Sequence, residues 1–149
     1  MQNYAKILGE HANRDIHLVP GAGAAGGMAA GFMGVLNATL APGFDLIDHT
    51  FGLDQLIEEK NLDYIITGEG RFDNQTRFGK LPLRMAQLGE KHGTPTIGIC
   101  GSLMCPVEDL PEFKSIFSIV NRIMSETDAM SGAPYLLNQT LKSVLPLLK

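Results

Sequence analysis

The chain has no tryptophan, only two cysteines and no long run of charge of one sign among its 149 residues. The formal net charge is −4 and the basic residues are not clustered, which gives no indication of a nucleic-acid partner. Cys100 and Cys105 could form at most one disulfide, which is not typical of a secreted, disulfide-stabilised domain. We therefore expect reduced thiols, no bound nucleic acid and a cytoplasmic location.

Long hydrophobic runs are also missing. The apolar stretches are too short and too rich in glycine to span a bilayer. The first residues, Met1-Gln2-Asn3-Tyr4, lack the basic segment and the apolar run of a signal peptide, so no membrane partner is expected. The apolar fraction of 44% is nevertheless that of an ordinary globular domain, and a chain of this length can bury a hydrophobic core.

Strands and helices alternate in the second half of the chain. Three apolar stretches have the composition of strands that are buried on both faces, at 63–67, 96–100 and 116–120. Three segments with apolar residues at helical spacing predict helices, at 53–60, 83–92 and 134–148. This alternation predicts parallel βαβ units, and therefore an α/β fold with a Rossmann-like parallel sheet and flanking helices.

The first part of the chain is less regular. Residues 1–13 predict a helix and residues 16–19 a weak strand. From Gly21 onward, a segment rich in small residues predicts a closely packed helix that continues through Leu40 and ends at Pro42-Gly43. A doubly wound sheet needs about five strands, so three clear strands and a weak one predict an incomplete portion of a larger fold. Four methionines are expected to fill the core, namely Met28, Met33, Met85 and Met104.

Polar residues crowd together where the apolar run Tyr64-Ile65-Ile66 ends. Ligands of open α/β sheets bind at the carboxyl ends of strands, and this loop is placed there. Glu69 or Asp73 could hold Mg²⁺ or accept a proton from a substrate hydroxyl. Arg71 could bind a carboxylate or phosphate through two hydrogen bonds. The alternative is an internal salt-bridge network of Arg71 with Glu69 or Asp73.

The residues that follow extend this motif. Gln75 belongs to the same polar run, and Thr76 could cap the next helix. Lys80 suits a phosphate, although a lone lysine is more often a solvated surface group. Gly101-Ser102 follows the strand 96–100, and its amide groups could bind an anion at the same edge of the sheet. Cys100 is interpreted as a buried residue of the strand end rather than a nucleophile. The histidines show no metal-ligand spacing.

The segment from Gly21 to Gly26 matches the pattern G-x-G-x-x-G. It could mark a dinucleotide site if a strand preceded it and an acid closed a second strand, for which Asp45 and Asp48 are poor candidates. A P-loop is excluded because Gly27-Met28 stands where Lys-Ser/Thr is required. A helix of small residues packed on a neighbour is a further alternative. We favour an anion site built from backbone amides at a helix N-terminus.

Taken together, these segments resemble the bacterial glycerate kinase family of the glycerate 2-kinase type. The resemblance covers nearly the whole chain. It rests on motifs in the same order and at similar spacing, namely Pro20-Gly-Ala-Gly-Ala-Ala-Gly-Gly27, Ile66-Thr-Gly-Glu-Gly-Arg71, Asp73, Gln75-Thr76, Gly79-Lys80 and Gly101-Ser102. It implies ATP-dependent phosphorylation of D-glycerate with Mg²⁺ in the cytosol, at a cleft between two α/β domains. On this basis residues 1–49 would belong to or lead out of the inserted domain, and 50–149 would complete the Rossmann-like domain.

Charge type and strand-end placement suggest roles for individual residues within this hypothesis. Glu69 and Asp73 are candidates for Mg²⁺ binding or for the general base to the glycerate hydroxyl. The expected catalytic residues are Glu69, Arg71, Asp73 and Lys80. The expected substrate-binding and phosphate-binding residues are Gly21, Gly23, Gly26, Gly27, Gly68, Gly70, Gln75, Thr76, Gly101 and Ser102.

Members of this family are well over twice as long and begin with a strand and a Lys-Gly-Ser loop, which this sequence does not contain. We therefore expect a C-terminal fragment of the family fold that is inactive without the missing N-terminal part. Apolar surface left uncovered would favour docking to that part or homo-oligomerisation. The alternative is a non-catalytic α/β module, either a ligand-binding remnant or a subunit that completes a partner.

Overall fold

A computed structural model describes residues 2–13, 15–16 and 18–148 of the chain. In chain order its helices and strands are α1 (Gln2–Ala12), α2 (Ala24–Leu36), α3 (Gly43–Phe51), α4 (Leu53–Lys60), β1 (Ile65–Phe72), α5 (Leu81–Lys91), β2 (Thr96–Leu103), β3 (Ser115–Ser118), α6 (Glu126–Ser131) and α7 (Ala133–Val144). Short 3₁₀ turns lie at Thr76–Phe78, Val107–Asp109 and Leu145–Leu147. The chain divides into two compact units, Met1–Leu46 and Ile47–Lys149.

The sheet lies in the second unit and has three parallel strands in the order β1-β2-β3. Ile65 pairs with Thr96, and Ile97 pairs with Ser115. Helix α5 makes the crossover from β1 to β2, because parallel neighbours need such a connection. The expected α/β class with a parallel sheet and flanking helices is confirmed. The assignment of residues 1–49 and 50–149 to two domains of a larger fold stays a prediction.

Two strands run further than the sequence predicts. β1 continues from Ile65 to Phe72, and β2 continues to Leu103, although their apolar residues end earlier. Glycine allows this continuation, because a Cβ on Gly68 would lie 2.1 Å from the carbonyl oxygen of Ile99, and one on Gly101 would lie 2.4 Å from that of Gly70. The two backbones therefore approach more closely than side chains would allow.

Helices cover the sheet on its two faces, each over its own apolar cluster. One cluster joins the sheet to α5 and consists of Phe72, Leu83, Ala86, Cys100, Leu110 and Phe113. The other joins the sheet to α7 and consists of Ile97, Ile99, Ile119, Leu136 and Val144. Successive residues of a strand point to opposite faces, which is why Ile99 and Cys100 belong to different clusters. Cys100 is buried, as expected from the sequence.

The first unit has a small core of its own, made of Leu8, Ile16, Ala22, Ala30 and Met33. The prediction of a weak strand at 16–19 is wrong for the residues that the structure describes. The N–H of Val19 donates to the carbonyl of Ile16 and closes a turn there. His17 lies outside the described residues. The tight packing expected of the small-residue helix is present near its end, where a Cβ on Gly34 would lie 3.1 Å from Leu8.

Other boundaries also differ from the expectation. Helix α2 ends at Leu36, not Leu40, because Asn37 has a left-handed backbone with φ of 52°. Two helices were not predicted. α3 occupies the stretch from Gly43 that reads as a poor strand, and α6 begins at Glu126 after the N-cap Ser125, whose Oγ accepts a hydrogen bond from the N–H of Asp128. Met28 and Met104 are exposed, so the expectation that they fill the core is wrong.

A charged contact joins α4 to the end of α5. The carboxylate of Asp54 lies 2.5 Å from Nε2 of His92 and accepts hydrogen bonds of 2.8 and 2.7 Å from Nζ of Lys91. The hydrogen bond to His92, followed by that from Lys91, lowers the pKa of Asp54 below its ordinary value of 3.8. The same contact raises the pKa of Lys91 above 10.5. His92 ends α5, which agrees with its expected place at a helix C-terminus.

No helix in the described part of the chain is both long enough and apolar enough to cross a membrane.

The close approach of β1 and β2 predicts unequal costs for two glycine replacements. Gly68→Ala should lower the free energy of unfolding by about 1–3 kcal/mol, because its methyl group would overlap the Ile99 carbonyl. Gly70→Ala is the matched control, since a Cβ there meets no atom within 4 Å. Urea denaturation of both variants measures the difference. Equal stability of the two variants would contradict the strand pairing described here.

The contact of Asp54 predicts a pH-dependent contribution to stability. A carboxylate with a lowered pKa stabilises the fold above its ordinary pKa, and this contribution is lost as the pH falls through the lowered value. Asp54→Asn should therefore be less stable than the wild type at pH ~7. The difference should close below the ordinary value of 3.8. The part that comes from Lys91 should also vanish as the pH rises above 10.5.

Thermal unfolding across this pH range measures the effect. Asp63→Asn is the control, because Asp63 is exposed in the connection between α4 and β1. A difference between Asp54→Asn and the wild type that stays constant with pH would show that the ion pair is not its source.

Candidate functional site

The carboxyl ends of β1 and β2 bring several of the expected site residues to one edge of the sheet. Glu69 pairs with Cys100 in the strand register, and Arg71 pairs with Ser102. Glu69, Arg71, Gly101 and Ser102 therefore lie inside strands, and the expectation that they form loops after the strands is wrong. The physical reason is that Gly68 and Gly101 allow the two backbones to stay paired after the apolar side chains end.

The turn after β1 is fixed by hydrogen bonds centred on Thr76, whose side chain is fully buried. Its Oγ1 donates to Oε1 of Glu69 at 2.9 Å and accepts from the N–H of Asp73 at 3.1 Å. The carboxylate of Asp73 accepts from the N–H of Gln75 at 2.8 Å. The sequence suggested that Thr76 could cap the next helix, but Lys80 occupies the N-cap position of α5. The threonine hydroxyl instead links the turn to the strand.

Lys80 completes a group that we call the acid–lysine cluster, made of Glu69, Asp73, Thr76 and Lys80. Its Nζ lies 3.4 Å from Oε2 of Glu69 and 3.7 Å from Oδ1 of Asp73. The three charged side chains are partly buried, with exposures of 35% for Lys80, 22% for Glu69 and 28% for Asp73. The expected alternative of a salt-bridge network of Arg71 with Glu69 or Asp73 is wrong, because Lys80 pairs with these two carboxylates and Arg71 pairs with Glu126.

Arg71 lies apart from this cluster. Its guanidinium is 3.6 Å from Oε1 of Glu126 in α6, and both side chains are largely exposed. Residues two apart in a regular strand share a face, yet Glu69 reaches Lys80 while Arg71 reaches Glu126. The two side chains therefore contact different elements although they are two apart in β1. Among the described residues Arg71 has a surface ion pair with Glu126, and such a pair contributes little to its position.

A cavity of about 1000 Å³ opens to solvent beside the strand ends, and we call it the strand-end cavity. Of the expected site residues, those that line it are Gly68, Glu69, Gly70, Arg71, Gly101 and Ser102. The remaining wall is mostly apolar, with Thr67, Ser125 and Glu126 as its polar members, and comes from the sheet, from α6 and α7 and from the residues before α6. The sequence reasoning missed this wall, including Met124 and Met130. The helix-start signal Ser125-Glu-Thr-Asp128 after β3 could have indicated α6.

The glycine-rich segment lies in the first unit. Ala25, Gly26 and Gly27 have left-handed backbones with φ of 50°, 68° and 93°, so the regular part of α2 begins after them. The N–H of Gly27 donates to the carbonyl of Gly23. A turn, not a strand, precedes Gly21 in the described residues, and the stretch with Asp45 and Asp48 is helical. The dinucleotide interpretation of G-x-G-x-x-G is therefore wrong.

The remaining nucleophile and metal candidates give no site of their own. Burial raises the pKa of the Cys100 thiol to about 11, and its Sγ faces the carbonyl of Phe117, so it stays protonated and unreactive at neutral pH. Within residues 2–13, 15–16 and 18–148, no three histidine, cysteine or acidic side chains are grouped as a metal site. Among the described residues, Glu69 and Asp73 therefore have no third acidic, histidine or cysteine side chain grouped with them as a metal site.

Comparisons with known proteins agree with one another. The model described as "Glycerate kinase family" matches residues 1–149. A glycerate kinase of Halalkalibacterium halodurans is 39% identical over 144 residues, which are 95% of this chain and 37% of that protein. The glycerate 2-kinase of Escherichia coli K12 is 36% identical over 135 residues, which are 89% of this chain and 35% of that protein.

A solved structure gives the same result. The crystal structure described as glycerate kinase 2 from Salmonella typhimurium LT2 superposes with a TM-score of 0.68 at 31% identity. The match covers 99% of this chain and 37% of that structure. The chain thus spans just over a third of the length of the relatives that it matches.

The hydrogen bonds of Thr76 predict that its hydroxyl stabilises the turn. Thr76→Val keeps the shape of the side chain but leaves Glu69 Oε1 and the N–H of Asp73 without this partner. The free energy of unfolding should fall by about 1–3 kcal/mol, which is the cost of unsatisfied groups at a buried position. Thr76→Ser, which keeps the hydroxyl, should lose less. Urea denaturation measures both, and a valine variant as stable as the wild type would contradict the described network.

Proposed function

The chain belongs to the glycerate kinase family, and on that premise we propose that it forms part of the active site of a kinase that transfers the γ-phosphoryl group of ATP to D-glycerate. The observation that carries the proposal is the acid–lysine cluster at the carboxyl edge of the parallel sheet. Such an edge is where open α/β sheets bind ligands. The cluster also combines the two kinds of charge that phosphoryl transfer uses.

Lys80 is suited to bind a phosphate. Its Nζ lies 3.4 and 3.7 Å from the two carboxylates, longer than the roughly 2.7–2.9 Å of strong charge-assisted hydrogen bonds. The ammonium is therefore close to Glu69 and Asp73 without being tightly hydrogen-bonded to either. The N–H groups of the Lys80 ammonium could therefore turn to a phosphate oxygen of the substrate. Catalysis of phosphoryl transfer consists mainly of such positioning and charge neutralisation.

The two carboxylates of the cluster fit Mg²⁺. This ion is usually held by one or two carboxylates together with substrate phosphates and water, and Glu69 and Asp73 supply two. Thr76 orients Glu69 through a hydrogen bond of 2.9 Å, and the N–H of Gln75 orients Asp73. When bound, Mg²⁺ would neutralise charge on the phosphates. The carboxylate that does not bind it would accept the proton of the glycerate hydroxyl.

The other expected residues have supporting roles in this proposal. Arg71, whose ion pair with Glu126 is exposed, could bind the carboxylate of glycerate or a phosphate. The backbones of Gly68, Gly70, Gly101 and Ser102 line the strand-end cavity and would bind anionic groups there. In the first unit we propose an anion site at the backbone of Gly21, Gly23 and Gly26, whereas the N–H of Gly27 already donates to the carbonyl of Gly23.

The enzyme would need more than these residues. Because the chain spans just over a third of its relatives, we propose that the rest of the family's length completes the active site and covers apolar surface that is exposed here. A homo-oligomer would cover some of the same surface. The two cysteines are free, which supports a reducing compartment such as the cytosol.

Replacement of Lys80 tests the proposal. The chain is mixed with a separately produced N-terminal portion of a relative, and ADP release is followed with ATP, Mg²⁺ and D-glycerate. Lys80→Met should lower kcat/KM roughly a hundredfold or more, which is the usual cost of losing one group that stabilises transferred charge. Arg77→Met is the control, because Arg77 is exposed and pairs only loosely with Asp109.

The control should keep the wild-type rate. A Lys80→Met protein with full activity would remove the acid–lysine cluster from the mechanism. An assembled mixture without any activity would favour the non-catalytic α/β module instead.

A further inference from the structure

The strand-end cavity has two chemically different parts. The part at the strand ends is polar or consists of backbone, with Thr67, Glu69, Arg71, Ser102 and the glycines at 68, 70 and 101, and Ser125 and Glu126 add polar groups at the start of α6. The other part is an apolar wall made of Ile66, Ile99, Ile119, Val120, Met124, Ala129, Met130, Ala133, Leu137 and Leu141. An occupant that fits both parts combines a sizeable apolar body with a polar end.

We propose that this cavity binds the adenine ring of the nucleotide, with the phosphates directed to the ends of β1 and β2. The inference rests on the proposed kinase function, and it assigns the two substrates to different places. Glycerate is a small dihydroxy acid with almost no apolar surface, so an apolar wall of this extent would gain nothing by binding it. A purine is flat and weakly polar on its faces, and its burial here removes apolar surface from water.

The size and the composition of the cavity fit such a ligand. Its volume of about 1000 Å³ is at the upper end of the roughly 300–1000 Å³ that is typical of ligand pockets. The thioethers of Met124 and Met130 lie in the wall, and methionine makes favourable contacts with aromatic rings and adapts to their shape. Met130 is 72% exposed and Ile66 is 43% exposed, so the wall has apolar surface available for a ligand.

The strand ends provide room for the phosphates. Gly70 lines the cavity, and a Cβ built on it meets no atom within 4 Å, so its backbone faces open space. Glu69 lines the same cavity and belongs to the acid–lysine cluster, in which Lys80 lies 3.4 Å away. A nucleotide whose base occupies the apolar wall would therefore extend its phosphates toward Glu69 and Lys80. Glycerate would then bind outside the apolar wall, within reach of the cluster.

Filling the cavity tests the assignment. Isothermal titration of the chain with ADP measures binding, and Ala129→Phe places an aromatic side chain in the wall of the cavity. The Kd for ADP should rise roughly tenfold or more, which is the scale on which apolar pockets discriminate. Thr127→Phe is the matched control, because Thr127 lies in the same helix, is exposed and does not line the cavity. Its Kd should equal that of the wild type.

A second variant guards against misfolding of the first. Leu137→Gln changes a partly exposed residue of the wall from apolar to polar, and it should also raise the Kd for ADP while circular dichroism stays unchanged. Wild-type affinity in both variants would overturn the proposal, as would a wild-type chain that binds no ADP. In the second case the wall would be a packing surface for the rest of the family's length.

Activity separates this inference from the proposed function. In the assembled protein, Ala129→Phe should raise KM for ATP and leave KM for D-glycerate unchanged. Glycerate kinase activity with an unchanged KM for ATP would overturn the cavity assignment and leave the function standing. Absence of wild-type activity, together with ADP binding that is lost in Ala129→Phe, would overturn the function and leave the nucleotide site standing.

Discussion

The pairing of β1 with β2 beyond their apolar residues is the constraint on which the candidate site depends. Gly68 and Gly101 allow each strand to approach carbonyl groups of its neighbour at distances that no side chain would permit. Because both strands continue, Glu69, Arg71 and Ser102 are held on a hydrogen-bonded sheet instead of a loop. A site that must position phosphates benefits from such rigidity, since groups fixed in advance need little reorganisation during the reaction.

The acid–lysine cluster and the strand-end cavity are two consequences of that pairing. The turn after β1 returns to the strand through Thr76, which brings Asp73 and Lys80 to Glu69. Glu69 also lines the cavity, so it is the residue at which the charged cluster and the apolar wall meet. We therefore propose that the apolar wall binds the adenine base and that the acid–lysine cluster binds the phosphoryl group that is transferred.

The sequence predicted the parts of the fold that have strong local signals. The strand at 96–100 and the helix at 53–60 were located correctly and the strand at 63–67 overlaps β1 from Ile65, because apolar runs and apolar residues at helical spacing are strong local signals. The ends of these strands were not predicted correctly, because glycine and charged residues usually indicate loops. The partner of Lys80 was not predicted either, because it depends on how the turn at Thr76 folds back in three dimensions.

A crystal structure of the chain assembled with the N-terminal portion of a relative, with ADP, Mg²⁺ and D-glycerate bound, tests the central claim most directly. The account predicts the β-phosphate beside Nζ of Lys80 at the ends of β1 and β2, with Mg²⁺ held by Glu69 or Asp73. It also predicts the adenine ring against Met124 and Met130. Nucleotide bound elsewhere, with the acid–lysine cluster unchanged and remote from the phosphates, would contradict the account.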